Sequence, residues 1–333
     1  MLLDVKDKKI LYELDLNSRI SYAQLSKKVG LKQETVRYRV QNLIKKGIIT
    51  KFQTIIDSSK LGIVYYKIFF RLQANNKVRE EIVNYLSSNE RVTWVGKIDG
   101  SYDIGLNILI ENFQVLNNFL SDFFDKFPDN IVEKKISTNL QGRYFNRDYL
   151  IDKNRTDMGE KKYSSAEKCN YKMDKIDFNI LSKLCQNSRT TTVEIGNRLN
   201  VSHDAILQRI KKLEKNEIIA GYTIVLNNEA INQLNYKVLV YLRRFSNKSI
   251  SQLSNYLGSI KEVTYVVKSL GNWDIDFEME VSTVQKAREL LVSITDRFSE
   301  IVEKCDLLLI YEFTKYDYLP ENYTFDDYSA ASV

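Results

Sequence analysis

The sequence predicts an α+β fold built from two copies of one unit, each a helix-turn-helix cluster followed by a βαββαβ module. Three observations predict it. Residues 7–57 align with 177–227 without a gap, 170 positions apart, and Asp7, Ile10, Leu11, Leu14, Asn17, Ser18, Arg19, Arg39, Leu43, Lys45, Ile48 and Ile49 recur unchanged. In each copy the apolar period is helical for about fifty residues and then shifts to that of strands. Finally, Asp99-Gly100 and Gly271-Asn272 stand between strand-like runs, where only a tight hairpin turn fits.

Each head reads as three helices. Ile10, Leu11 and Leu14 make the stripe of the first. The second opens on Ser21 with Gln24, or Thr191 with Glu194, two capping boxes in which hydroxyl and N3 side chain satisfy orphan N–H groups. Gly30-Leu31, or Asn200-Val201, supplies the turn, because Gly and Asn tolerate the left-handed conformation. Val36, Val40, Leu43 and Ile44 form the buried stripe of the third helix. Ser202 is a good N-cap there, whereas Lys32 caps poorly, at a cost of about 1 kcal/mol that Glu34 partly offsets through the helix dipole.

The following hundred residues of copy one read "GIVYYKIFFRLQ", "RVTWVGKID", "YDIGLNILI" and "NIVEKKISTNL" as strands. "NKVREEIVNYLSS" and "NFQVLNNFLSDFFDKF" read as helices, the latter stopped by Pro128. The order is βαββαβ, the ferredoxin-like plan, and copy two repeats it. The expected division is 1–57 and 171–227 for the heads and 58–151 and 228–320 for the β-modules. Residues 152–170 are an aperiodic polar linker and 321–333 a polar tail.

Charge is distributed unevenly. The 333 residues carry a net +6, yet residues 1–50 alone hold 11 Lys/Arg against 5 Asp/Glu, and residues 171–222 hold 9 against 6. Basic excess confined to the two heads suggests a polyanionic partner. The charged start "MLLDVKDKKI" predicts no secretory leader, and no apolar run approaches the roughly 20 residues of a spanning helix, so a cytoplasmic location without membrane contact is expected. Cys169, Cys185 and Cys305 have no CxxC spacing, which argues against a disulfide framework or a zinc site. With His203 the single histidine, metal and Ser-His-Asp chemistry lack raw material; no metal, no cofactor and no catalytic residue is expected.

Taken with "NSR" between the first two helices, "RYRVQNLIKKGII" and "LQRIKKLEKNEII" at the third, and "GSYD" and "GNWD" in the hairpins, the chain resembles the Lrp/AsnC family of feast/famine transcriptional regulators over nearly its whole length. The resemblance implies a winged helix-turn-helix that binds double-stranded DNA, and a ferredoxin-like domain that self-associates and admits a small amino-acid effector. Family members usually carry one copy, so this chain looks like a dimer fused into one polypeptide. It implies DNA contact from Lys32, Gln33, Thr35, Arg37, Tyr38, Arg39, Gln41 and Lys45 in the first head. Ser202, His203, Leu207, Gln208, Arg209, Lys211 and Lys212 are the counterparts in the second. Arg and Gln suit guanine and adenine edges, and Lys32 a phosphate, while Arg39 and Arg209 reach the DNA backbone or brace their helix. Gly100, Tyr102, Asp103, Gly271, Trp273 and Asp274 map onto the effector loop: glycine lets N–H groups approach a ligand carboxylate, and Asp can take its ammonium. The competing turn-only role is equally open.

Two other functions compete. Sirohaem decarboxylases of haem biosynthesis use the same architecture, and that resemblance implies histidine and arginine around a tetrapyrrole carboxylate; the β-modules here hold no histidine. A sensor that binds an amino acid without DNA is opposed by the basic heads.

Overall fold

The computed structural model describes residues 3–155, 161–164 and 171–331. The first unit runs α1 (Val5–Leu16), α2 (Tyr22–Val29), α3 (Gln33–Lys45), β1 (Ile49–Ile56), β2 (Val64–Leu72), α4 (Asn76–Ser88), β3 (Val92–Asp99), β4 (Ile104–Ile110), α5 (Phe113–Lys126) and β5 (Ile131–Tyr144). After β6 (Lys161–Ser164), the second runs α6 (Lys175–Gln186), α7 (Thr192–Leu199), α8 (His203–Lys215), β7 (Ile219–Leu226), β8 (Leu234–Leu242), α9 (Asn247–Ser259), β9 (Val263–Gly271), β10 (Ile275–Val281), α10 (Val284–Arg297) and β11 (Val302–Tyr316). α11 (Phe325–Ala331) ends the described chain.

The two β-modules do not form separate sheets. The strand order β2-β4-β3-β11-β8-β10-β9-β5, with β5 pairing back to β2, is a closed ring of eight antiparallel strands. Two long strands close it. Residues 131–138 of β5 pair with β2 of their own unit, and residues 137–144 pair with β9 of the other. β11 does the same, with β8 first and then β3. Closure pairs the strands all round the ring and leaves a free side only where β5 and β11 run past their own units, at β5 taken by β6. Helices α4 and α5 cover one side through Ile82, Leu86 and Phe123, and α9 and α10 the other through Leu253, Leu257 and Ile294.

Three expectations change. Residues 152–170 are not only a linker: 161–164 form β6 against the end of β5, where Tyr163 is buried. The Arg155 side chain is buried too, pairs with Asp148, and donates to the carbonyls of Gly258 and Val263. Burial of such a group is tolerated because every N–H finds an acceptor. Cys169 lies outside the described residues. The tail is likewise structured, with Tyr323 buried and Tyr328 stacked on Phe178 of α6 at 5.7 Å. Third, Ile44 is exposed, so Val36, Val40 and Leu43 alone carry the buried stripe of α3.

Candidate nucleic-acid interface

The local signals place the reading helices. Ser21 and Gln24 make the expected capping box of α2. Thr191 caps α7 but the box is half formed, because Glu194 turns to Arg198 at 3.1 Å. Gly30 (φ 70°) and Asn200 (φ 58°) take the left-handed turn that leads into α3 and α8. Ser202 accepts the Ala205 N–H, while Lys32 makes no cap.

On α3, Gln33, Thr35, Arg37, Tyr38, Gln41 and Lys45 are exposed together with Lys32 at its start. Arg37 rests its guanidinium over the Tyr22 ring at 5.3 Å, which limits its rotamers without covering its donors. On α8, Ser202, His203, Gln208, Lys211 and Lys212 are exposed and Leu207 is half-buried. These thirteen exposed or half-exposed side chains form two faces of donor-rich chemistry suited to groove edges and phosphates.

Of the two roles expected for Arg39 and Arg209, the geometry displays the brace. Arg39 is bound at 2.7 Å by Asp4 and 2.8 Å by Asp7, and Arg209 at 2.7 Å by both Asp174 and Asp177. Hydrogen bonds donated to these carboxylates raise the pKa of both guanidinium groups. They brace the third helix of each head to the first, each through its Nη1.

The "NSR" motif explains how the heads are held together. Ser18 and Ser188 share a hydrogen bond of 2.6 Å between their hydroxyls. Arg189 donates to the Ser18 carbonyl at 2.7 Å and Arg19 donates to that of Ser188. Beside this contact β1 and β7 pair antiparallel from Ile49↔Leu226 to Ile56↔Ile219. Each head therefore completes a two-stranded ribbon with the other.

The hairpin residues are engaged inside the protein. Asp103 accepts the Leu72 N–H at 2.6 Å and pairs with Arg79; Asp274 accepts the Leu242 N–H at 2.8 Å. Tyr102 and Trp273 are buried in the ring against Phe69. A Cβ on Gly100 would lie 3.0 Å from the Leu307 carbonyl, and one on Gly271 only 2.5 Å from that of Ile136. Both glycines thus give room to the opposite unit's backbone.

The sequence reading missed a buried ionic set inside the ring. Lys67 Nζ lies 2.5 Å and 2.8 Å from the Asp276 oxygens, and Lys237 bridges Asp276 at 3.3 Å to Glu278 at 2.7 Å. Trp273 Nε1 and Ser269 Oγ also donate to Asp276. A lysine recurring at equivalent positions in the middle of the largely apolar β2 and β8 was the available signal.

Among the described residues no helix is long and apolar enough to cross a membrane. Comparison with known proteins bears on both heads. Residues 3–50 match the winged helix-turn-helix DNA-binding family and residues 173–214 the AsnC-type helix-turn-helix domain. An uncharacterised HTH-type transcriptional regulator of Pyrococcus furiosus is 34% identical over 125 residues, 38% of this chain and 84% of that protein. The transcriptional regulator AzlB of Bacillus subtilis is 36% identical over 132 residues, 38% of this chain and 83% of AzlB. The crystal structure of the sirohaem decarboxylase NirDL matches 98% of this chain and 97% of its own with a TM-score of 0.62 at 13% identity, a likeness of fold. Relatives of this length align with little more than a third of the chain because the chain holds the unit twice; it belongs to the Lrp/AsnC family of helix-turn-helix regulators as a tandem duplication.

Proposed function

We propose that this protein is a sequence-specific, DNA-binding transcriptional regulator in which one chain supplies both reading heads. The observation that carries this is the pair of exposed, donor-rich faces on α3 and α8, joined through the Ser18–Ser188 contact and the β1–β7 ribbon. The heads are unlike. Gln33, Arg37, Tyr38 and Gln41 stand where the second head has His203, Leu207, Gln208 and Lys211. Arg takes guanine, whereas Leu offers only apolar contact, so two-fold symmetry of the operator is not required. Selection of bound sites from random double-stranded DNA should yield two unlike half-sites about one helical turn, or a multiple of it, apart. A clean palindrome would show that the heads read shape and backbone instead.

The reading places the protein in the cytoplasm, with DNA as partner. An amino-acid effector at the hairpins would have to displace the internal contacts of Asp103, Asp274 and the Asn272 N–H. The sirohaem-decarboxylase alternative has the fold in common, but His203 on α8 is the single histidine of the chain. Binding of a tetrapyrrole by the purified protein, with loss of its carboxyl groups as CO2, would reverse the preference.

A further inference from the structure

The two heads stand on the ring at two equivalent junctions, each head resting on the other unit's strands. At one junction Cys185 of α6 meets Tyr65 and Leu109, and all three are buried in one apolar cluster. The Tyr65 hydroxyl closes it by donating to the Tyr318 carbonyl at 2.8 Å. The matching residues of the other junction, read from the repeat, are Asp15, Asn235 and Glu280. They surround a cavity of about 50 Å3. Tyr65 of the first junction also borders a cavity, of about 40 Å3, so the two junctions differ in chemistry rather than in space: apolar at Cys185 and Leu109, polar at Asp15, Asn235 and Glu280.

The carboxylates of the polar junction are held by Arg147, and Lys161 donates to the Asp15 carbonyl at 3.0 Å. Arg147 holds Asp15 at 2.6 Å and grips both oxygens of Glu280 at 2.9 and 3.0 Å. What is left over is amide. Gln53 Oε1, Asn235 Oδ1 and both polar side-chain atoms of Asn228 line this cavity, buried and without a hydrogen-bond partner. Gln53 is 0% exposed and Asn235 4%. Unmet buried amides carry a real cost, and here three of the four atoms are carbonyl oxygens that call for N–H donors. Tyr144 and Tyr265, stacked at 4.2 Å, form part of the wall. The cavity admits a few heavy atoms, and it adjoins a groove of about 1010 Å3 that shares Asn228, Asn235, Phe313 and Tyr316 with it.

We propose that this polar junction binds the N–H-rich head of a small alkyl amine or guanidine, with the alkyl tail lying in the adjoining groove. Because Gln53 belongs to the ribbon and Asn235 to the ring, an occupant touches both the element that joins the heads and the element beneath it. The consequence for DNA rests on the DNA-reading function proposed above: ligand and operator then change each other's affinity by the same factor.

Calorimetric titration of the full chain without DNA, using agmatine, putrescine and butylamine, tests the site apart from any operator. Saturable binding is expected for at least one of them, and n-butanol should give none. Asn235→Tyr, which copies the apolar junction, should weaken that binding by about tenfold or more, as should Gln53→Leu, which keeps the side chain's size and removes its acceptor. Should Asn235→Tyr fail to fold, Gln53→Leu alone decides. No saturable heat with any amine, or binding unchanged in Gln53→Leu, would mean that the cavity holds water only and would overturn the proposal. Amine binding that leaves operator affinity unaltered would keep the site and reject only its consequence for DNA.

Discussion

Arg37 and Arg39 are two residues apart on α3 and have opposite tasks. Arg37 is exposed, and Arg37→Ala should weaken specific DNA binding by about 1–3 kcal/mol and relax one base position while non-specific binding is kept. Equal loss on all sequences in a quantitative gel-shift would make Arg37 a phosphate contact. Arg39→Ala removes the ties to Asp4 and Asp7. These pairs are partly solvated, so about 0.5–1 kcal/mol of stability should go, read by denaturant unfolding, with the selected motif unchanged. The outward face of α3 was legible from its apolar period. The role of Arg39 was not, since its partners sit on another helix, 32 and 35 residues away. Exposed Ile44 marks the same limit: periodicity gives the stripe, but its width depends on what packs against it.

Among the strands, β2 and β10 meet the buried charges. Burial pushes the Asp276 carboxyl up, but Lys67 and Lys237 more than offset this and, with Trp273, bring it from 3.8 to about 2. A carboxyl held low in the folded state contributes stability above its unfolded pKa, and loses it as pH falls through the folded one. About 2 kcal/mol should therefore disappear as pH drops from about 4 to about 2. Asp276→Asn should cost about 3–5 kcal/mol at neutral pH, by leaving Lys67 buried without its carboxylate, and should flatten that acid limb. Urea midpoints of both proteins across this pH range check it; parallel curves would show that Asp276 is not the titrating group. The alternation of β2, β3, β4 and β5 was readable from sequence. Ring closure was not, because it depends on β5 and β11 outrunning their own units by several residues to pair across the molecule. The short β6 was hidden for a related reason: polar "KKYS" has no strand period of its own and extends because the free side of β5 offers it hydrogen bonds.

At the scale of the whole molecule, the repeat announced a fused pair, and the same repeat concealed how rigidly the pair is joined. Two heads on a flexible tether would tolerate a range of half-site spacings, because the linker sets only an effective concentration. Here Ser18, Ser188, Arg19 and Arg189 lock the heads at their junction, and β1 and β7 add a continuous ladder beside it. The relative orientation of α3 and α8 is thus a property of the fold. Inserting about 5 bp between the half-sites turns one of them to the opposite face of the DNA, where the second head cannot follow without breaking that ladder. Affinity should then fall to that of a single head, by about 10²–10⁴-fold, as expected when an intramolecular second contact is lost. Inserting a full turn of about 10 bp restores the face but adds about 34 Å, so it should recover little of the loss unless the DNA bends. Competition binding with the selected operator and its two spacing variants measures this directly. Equal affinity for all three would mean that the β1–β7 ribbon opens on DNA and that the heads act as independently tethered modules.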